Sequence, residues 1–133
     1  AAGNLMRNVW AFLLIFCGHF TADVEMYEES VLEGETRGAW YLRQLRGSGN
    51  IEGGEFLHLL SGNLSHQIEH HLFPDLPSCR YAEIAVEVRA LAAACHLPYN
   101  SGSFTRQFAT VWERIFRYAL PPRGTARREA TVA

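Results

Sequence analysis

Residues 66 to 77 read HQIEHHLFPDLP, in which His66, His70 and His71 fall within six positions, beside Gln67 and Glu69. Neutral imidazole is a borderline-soft nitrogen donor suited to iron, zinc, copper or nickel, so this clustering points to a metal site. On a helix, His66 and His70 stand four apart on one face, and Gln67 and His71 form a second four-apart pair about 100° round. Two adjacent faces suit two metal ions. A single tetrahedral zinc needs only one face, as in HExxH, and that motif is absent from the stretch. The competing reading is a polar histidine run at a helix end, with satisfied hydrogen bonds and no metal.

The elements that must position these residues follow from periodicity and punctuation. Phe56, Leu59, Leu60, Leu64 and Ile68 recur near the helical period, which predicts one helix over residues 55–71. His58 lies on it two turns before His66 and reads as a structural histidine. Pro74 and Pro77 each remove a backbone donor and break the helix. The histidines therefore sit at a helix C-terminus, whose carbonyl ends favour cations. Ser78 is the expected N-cap of an amphipathic helix over 78–95, carrying Tyr81, Ile84, Ala85, Val88, Leu91 and Ala92 on one stripe. After a turn at Pro98 and Gly102, Phe104, Phe108, Val111, Trp112, Ile115 and Tyr118 predict a last helix over 103–119. Such an aromatic stripe is either core or an interfacial face.

Ahead of the histidine stretch, glycines concentrate over residues 46–54, which reads as a loop. Val9 to Cys17 is uninterrupted apolar sequence, and the run reaches about 16 residues from Leu5 to Phe20 if Arg7 and Asn8 are tolerated, short of the roughly 20 that a membrane span wants. On hydropathy alone it is a buried core helix as readily as a spanning one. His19 closes it. A lone histidine on an apolar helix is ordinarily a satisfied core residue, whereas an ionisable group at membrane depth is a functional candidate.

Across 133 residues, hydrophobic types make 48% and charged types 20%, near ordinary globular values, so the chain is not a string of membrane spans. Residues 23–35 hold Asp23, Glu25, Glu28, Glu29, Glu33 and Glu35 without a basic residue. That is a solvated face, or, more pointedly, a contact for a basic electron donor or a source of carboxylates behind a metal-bound histidine. After residue 100, Arg106, Arg114, Arg117, Arg123, Arg127 and Arg128 face only Glu113 and Glu129, a basic end suited to the cytoplasmic side of a membrane and to anionic headgroups. The net charge of −2 and the lack of aromatic-basic interleaving argue against nucleic acid. Cys17, Cys79 and Cys95 are an odd set without CxxC spacing, so neither a disulfide framework nor a zinc knuckle is expected. No secretory signal peptide is implied.

QIEHHLFPDLP resembles the third histidine box of membrane fatty acid desaturases. The resemblance extends upstream over WYLRQLRGSGNIEGGEFLHLLSGNLS and downstream over RYAEIAVEVRALAAACHLPYNSGSF, so it covers essentially the whole chain, and the QxxHH form is closest to the branch with front-end desaturases and actinobacterial relatives. It implies an all-α fold: the C-terminal part of a membrane helix bundle. Residues 5–22 would be its last membrane helix, 23–54 a connecting segment, 55–71 the box helix, 78–95 and 103–119 cytosolic helices, and 120–133 a basic tail.

The resemblance further implies two irons held by histidines, with His70 and His71 as ligands. Gln67 and His66 compete for the first ligand place, since QxxHH starts at Gln67 and HxxxHH at His66, where the family often carries an aromatic residue. Cys17-Gly18-His19-Phe20 resembles the cytosolic end of the last membrane helix, which makes His19 a further ligand. The family needs three boxes and this chain has one. It therefore reads as a C-terminal portion, expected to be inactive alone. The complete enzyme is expected to be an oxidoreductase that uses O2 and electrons from a ferredoxin- or cytochrome b5-type donor to place a cis double bond in a CoA- or lipid-linked acyl chain. Related hydroxylases and ketolases share the boxes, and a non-catalytic metal-binding or membrane-docking module is the alternative from another class.

Overall fold

The computed structural model describes residues 1–120, and the expected basic tail lies almost wholly outside them. Six α-helices dominate: α1 (Ala2–His19), α2 (Arg37–Arg46), α3 (Glu55–Leu60), α4 (Gln67–Leu72), α5 (Tyr81–Ala94) and α6 (Phe104–Ala119). The all-α expectation holds. Its one addition is a parallel pair of three-residue strands, β1 (Asn50–Glu52) and β2 (Ser101–Ser103), in register Asn50 to Ser101 and Glu52 to Ser103.

The pairing corrects the reading of residues 46–54 as loop throughout. It clips the start of the histidine region to the start of α6, and the Asn50 amide also donates to the Asn100 carbonyl at 2.9 Å.

A second correction concerns the helix expected over 55–71, which is two short helices with a turn between them. Gly62 and Asn63 take left-handed φ values of 60° and 63°. Glycine and asparagine tolerate that region best, and two such residues in succession cannot continue a right-handed helix. The Asn63 amide closes the turn on the His58 carbonyl at 2.8 Å. His66 consequently stands at the N-cap of α4, outside the helix, and the four-apart geometry assumed for His66 and His70 does not apply. Ser78 likewise makes no cap bond and begins a 3-10 turn (Ser78–Arg80) that leads into α5. The caps that do form are Thr36 on α2, accepting from the Ala39 amide at 3.2 Å, and Ser103 on α6, accepting from the Arg106 amide at 3.4 Å.

Packing divides into two clusters. Leu45, Ile68, Leu72 and Ala92 join α2, α4 and α5, while Leu14, Cys17 and Ile51 join α1 to β1, with Phe104 and Phe108 of α6 closing the second cluster. Each fully buried aliphatic side chain contributes roughly 2 kcal/mol, so the short α4 is held by Ile68 and Leu72 rather than by its own hydrogen bonds. No described helix is long and apolar enough to cross a membrane. Even so, α1 buries only Leu14, Cys17 and Gly18, leaving Leu5, Val9, Phe12 and Ile15 at least half exposed.

Candidate metal centre

The last turn of α1 and the six residues of α4 meet at Gly18. A methyl group there would come within 2.6 Å of the Gln67 Cγ, so the absent side chain is what lets the two helices approach so closely. This contact sets Gln67, 3% exposed, beside the residue that precedes His19. From the other end of α4, His71 reaches the same turn: its Nε2 lies 3.4 Å from the Nε2 of His19, with the rings edge to face. His70 packs on His71, ring centroids 5.5 Å apart. Three of the five candidate ligands are thus gathered, and Gln67 borders them.

His66 goes elsewhere. Its ring stacks on His58 at 4.7 Å, its Nδ1 lies 3.9 Å from the Glu69 carboxyl, and its buried Nε2 has no hydrogen-bond partner. His58 in turn shares a 2.7 Å hydrogen bond with the Ser65 hydroxyl, as the structural reading of that residue requires.

Nitrogen-metal bonds are about 2.0 to 2.1 Å, and two such bonds at a tetrahedral angle put their nitrogens about 3.4 Å apart. The His19–His71 spacing of 3.4 Å matches two imidazoles on one ion and is also within reach of a hydrogen bond between the rings. Burial, then the nearby His19 and His70, push the His71 pKa down to about 4. Burial, then His58 and Arg89, do the same to His66, also to about 4. Both imidazoles are therefore neutral at pH 7, the form that binds metal. Among the described residues no group of three or more His, Cys, Asp or Glu could hold a metal alone. The donor set fits part of a coordination shell, with two nitrogens converging and further donors adjoining.

Behind the histidines stand residues that the sequence reading did not single out for the site. The His71 Nδ1 lies 3.0 Å from the Gln44 Oε1 on α2, and the His70 Nδ1 lies 3.2 Å from the Tyr81 hydroxyl at the start of α5. Glu69, wholly buried, accepts from Asn50 Nδ2 at 2.7 Å and from the Tyr99 hydroxyl at 2.8 Å. Asn50 Oδ1 accepts the Ile68 amide at 2.9 Å, so one side chain fixes both the carboxyl and the backbone of α4. The acidic stretch is engaged differently: Glu35 binds Arg43 through both oxygens at 2.7 and 2.8 Å, and Glu25 pairs with Tyr27 and Arg46. The carboxyl group beside a histidine is Glu69, from the box itself.

A sequence model of the fatty acid desaturase family matches residues 1–103, more than half of the chain. The chain belongs to the fatty acid desaturase family. It is 49% identical to an NADPH-dependent stearoyl-CoA 9-desaturase of Mycobacterium tuberculosis over 115 residues, covering 86% of this chain and 27% of that protein. A Delta(8)-fatty-acid desaturase of Helianthus annuus is 33% identical over 119 residues, covering 85% of this chain and 26% of the relative. An acyl-lipid (9-3)-desaturase of Borago officinalis is 36% identical over 81 residues, covering 60% and 18%. The chain thus spans about a quarter of the length of the first two. No solved structure matches it significantly. The family match runs through both halves of the histidine group, His19 and residues 66–71.

Proposed function

We propose that the chain contributes the C-terminal share of a di-iron centre to a membrane fatty acyl desaturase, with His70, His71 and His19 as ligands and Gln67 as the first ligand of the box. The observation that carries this reading is the convergence of His19 and His71 at 3.4 Å between Nε2 atoms, with His70 alongside. Gln67 is preferred to His66 because it lies against Gly18, one residue from His19, while His66 stacks on His58.

Two irons, when bound, would supply activation of O2 with two donated electrons and removal of two hydrogens from an unactivated acyl segment. The residues of this chain hold and orient. Neutral imidazoles present Nε2 lone pairs, Gly18 sets the separation of α1 from α4, and the Glu69–Asn50–Tyr99 network keeps the box from shifting along its axis. The substrate is a fatty acyl chain on CoA or lipid, as the names of the relatives suggest, and the electrons come through a ferredoxin- or cytochrome b5-type donor, drawn in the mycobacterial relative from NADPH. The half-exposed apolar residues of α1 support placing that helix in a membrane among further helices of the whole protein. The box and the helices after it then lie on the cytoplasmic face.

The test is product analysis of the whole protein, expressed with its electron donor and given long-chain acyl-CoA. A cis-unsaturated product, lost in His70→Ala and His71→Ala together with iron, is the expected result. A hydroxylated product overturns desaturation, and bound zinc with activity indifferent to His70→Ala overturns the di-iron reading.

A further inference from the structure

We propose that Gln44 is a positioning residue, which fixes His71 in the tautomer that leaves Nε2 unprotonated and aimed at the point shared with His19. The proposal rests on the reading of His71 as a metal ligand and adds to it the residue that prepares that ligand.

Neutral imidazole carries one proton, and whichever ring nitrogen holds it cannot bind a metal. The Gln44 Oε1 is 3.0 Å from the His71 Nδ1, and an amide oxygen only accepts. Nδ1 therefore donates, and the lone pair is left on Nε2, 3.4 Å from its counterpart on His19. Gln44 stands on a backbone that is fixed from three sides. Its neighbour Leu45 is buried in the cluster with Ile68 and Leu72, its carbonyl accepts the Ser48 hydroxyl at 2.6 Å, and α2 packs along α4. α4 itself is only six residues long and ends at Leu72, so the helix alone gives His71 little orientation. His70 offers the internal contrast. Its partner, the Tyr81 hydroxyl at 3.2 Å, can donate or accept, and so it restrains the ring without choosing the tautomer.

The experiment compares Gln44→Met, Gln44→Glu and Tyr81→Phe in the whole protein, reading iron affinity by chelator competition. The tautomer of His71 is read by nitrogen NMR on histidine-labelled, metal-free protein. Gln44→Met, which keeps length and loses the acceptor, is expected to weaken iron binding by about 10- to 100-fold, the usual cost of losing a partner behind a metal ligand. Gln44→Glu, which still only accepts, keeps wild-type affinity or tightens it, and Tyr81→Phe costs less than Gln44→Met. Wild-type His71 is expected to be protonated on Nδ1. Glutamate failing as badly as methionine, methionine matching wild type, or a proton found on Nε2 each overturns the proposal. If Gln44→Met does not fold, the glutamate variant and the wild-type spectrum still decide it. His71→Ala separates the two levels: iron retained there sinks the ligand reading itself, whereas iron lost there but kept in Gln44→Met sinks only the role of Gln44.

Discussion

Two pairs of histidines, each with one member in residues 66–71, have opposite surroundings. His19 and His71 point ring nitrogens at one another at 3.4 Å, and the far side of His71 is anchored on Gln44. His58 and His66 lie face on face at 4.7 Å, one bound to Ser65 and the other with a buried nitrogen that nothing meets. Convergent nitrogens suit a shared cation. Stacked rings make a packing contact with polar edges. Proximity of imidazoles is therefore a poor guide by itself, and the direction of the lone pairs decides which pair can bind a cation.

The largest effect that sharpens this comparison is expected from His71→Ala in the whole protein. Losses from residues behind a ligand run to about 100-fold, so deletion of the ligand should exceed about 100-fold in turnover, with iron lost in parallel by metal analysis. Next comes Glu69→Ala, which takes from the Asn50 amide and the Tyr99 hydroxyl the carboxyl that accepts from both, leaving them only each other. A cost of about 2 kcal/mol or more follows, visible as a lowered unfolding midpoint. A midpoint unchanged by that substitution would mean that α4 is held by its apolar side chains alone.

Gly18→Ala should act on one pair and spare the other. The added methyl group pushes on Gln67 at 2.6 Å and spreads α1 from α4, so iron affinity falls by about tenfold while the His58–His66 stack is untouched. The smallest effect is expected from His66→Phe, which keeps the stack and removes the orphaned nitrogen: turnover stays near wild type. A collapse to the level of His71→Ala would instead make His66 the first ligand of the box and erase the contrast.

Acid offers a further way to weigh the two pairs. His66 and His71 each have a folded pKa of about 4 against 6.5 for a free imidazole, so on acidification the unfolded chain takes up protons first. The stability that both confer is intact above pH 6.5 and is lost as pH falls from there toward 4. In metal-free protein His66→Phe should make that loss shallower, by roughly one of the two proton uptakes, as followed by unfolding midpoints across the range.

Much of the candidate site is legible in the sequence because the residue types that suit a metal stand close together there. The types and order of residues 66–71, and the position of His19 at the end of an apolar run, carry the likeness to the family without any folding argument. What was not legible depended on contacts distant in the chain. Gln44 is 27 residues from His71 and sits on α2, a helix that Thr36 and Gly47 bracket as cap and stop but that is too weakly apolar to stand out from the connecting segment 23–54. The break at Gly62–Asn63 had its signal in the residue types, yet Leu64 and Ile68 kept the apolar period running across it and hid the turn. The strand pair is three residues long on each side, too short for any alternation to register. Between His66 and Gln67, periodicity had no vote, because His66 lies outside the helix on which the period was counted.

Asn50 satisfies five groups at once: the Glu69 carboxyl, the Tyr99 hydroxyl, the Ile68 amide, the Asn100 carbonyl and the Gln107 side chain. During synthesis these partners arrive at different times. The Tyr99 that closes on Glu69 follows it by 30 residues, and Gln107 follows Asn50 by 57, which at translation speeds of about 5 to 20 residues per second means intervals of roughly 1.5 to 11 seconds. Until then the Glu69 carboxyl lacks the Tyr99 hydroxyl, one of its two donors, and Asn50 lacks the Gln107 side chain. The residues written first in this part of the centre are thus the ones finished last, and their final geometry waits on a stretch of chain that holds none of the candidate ligands.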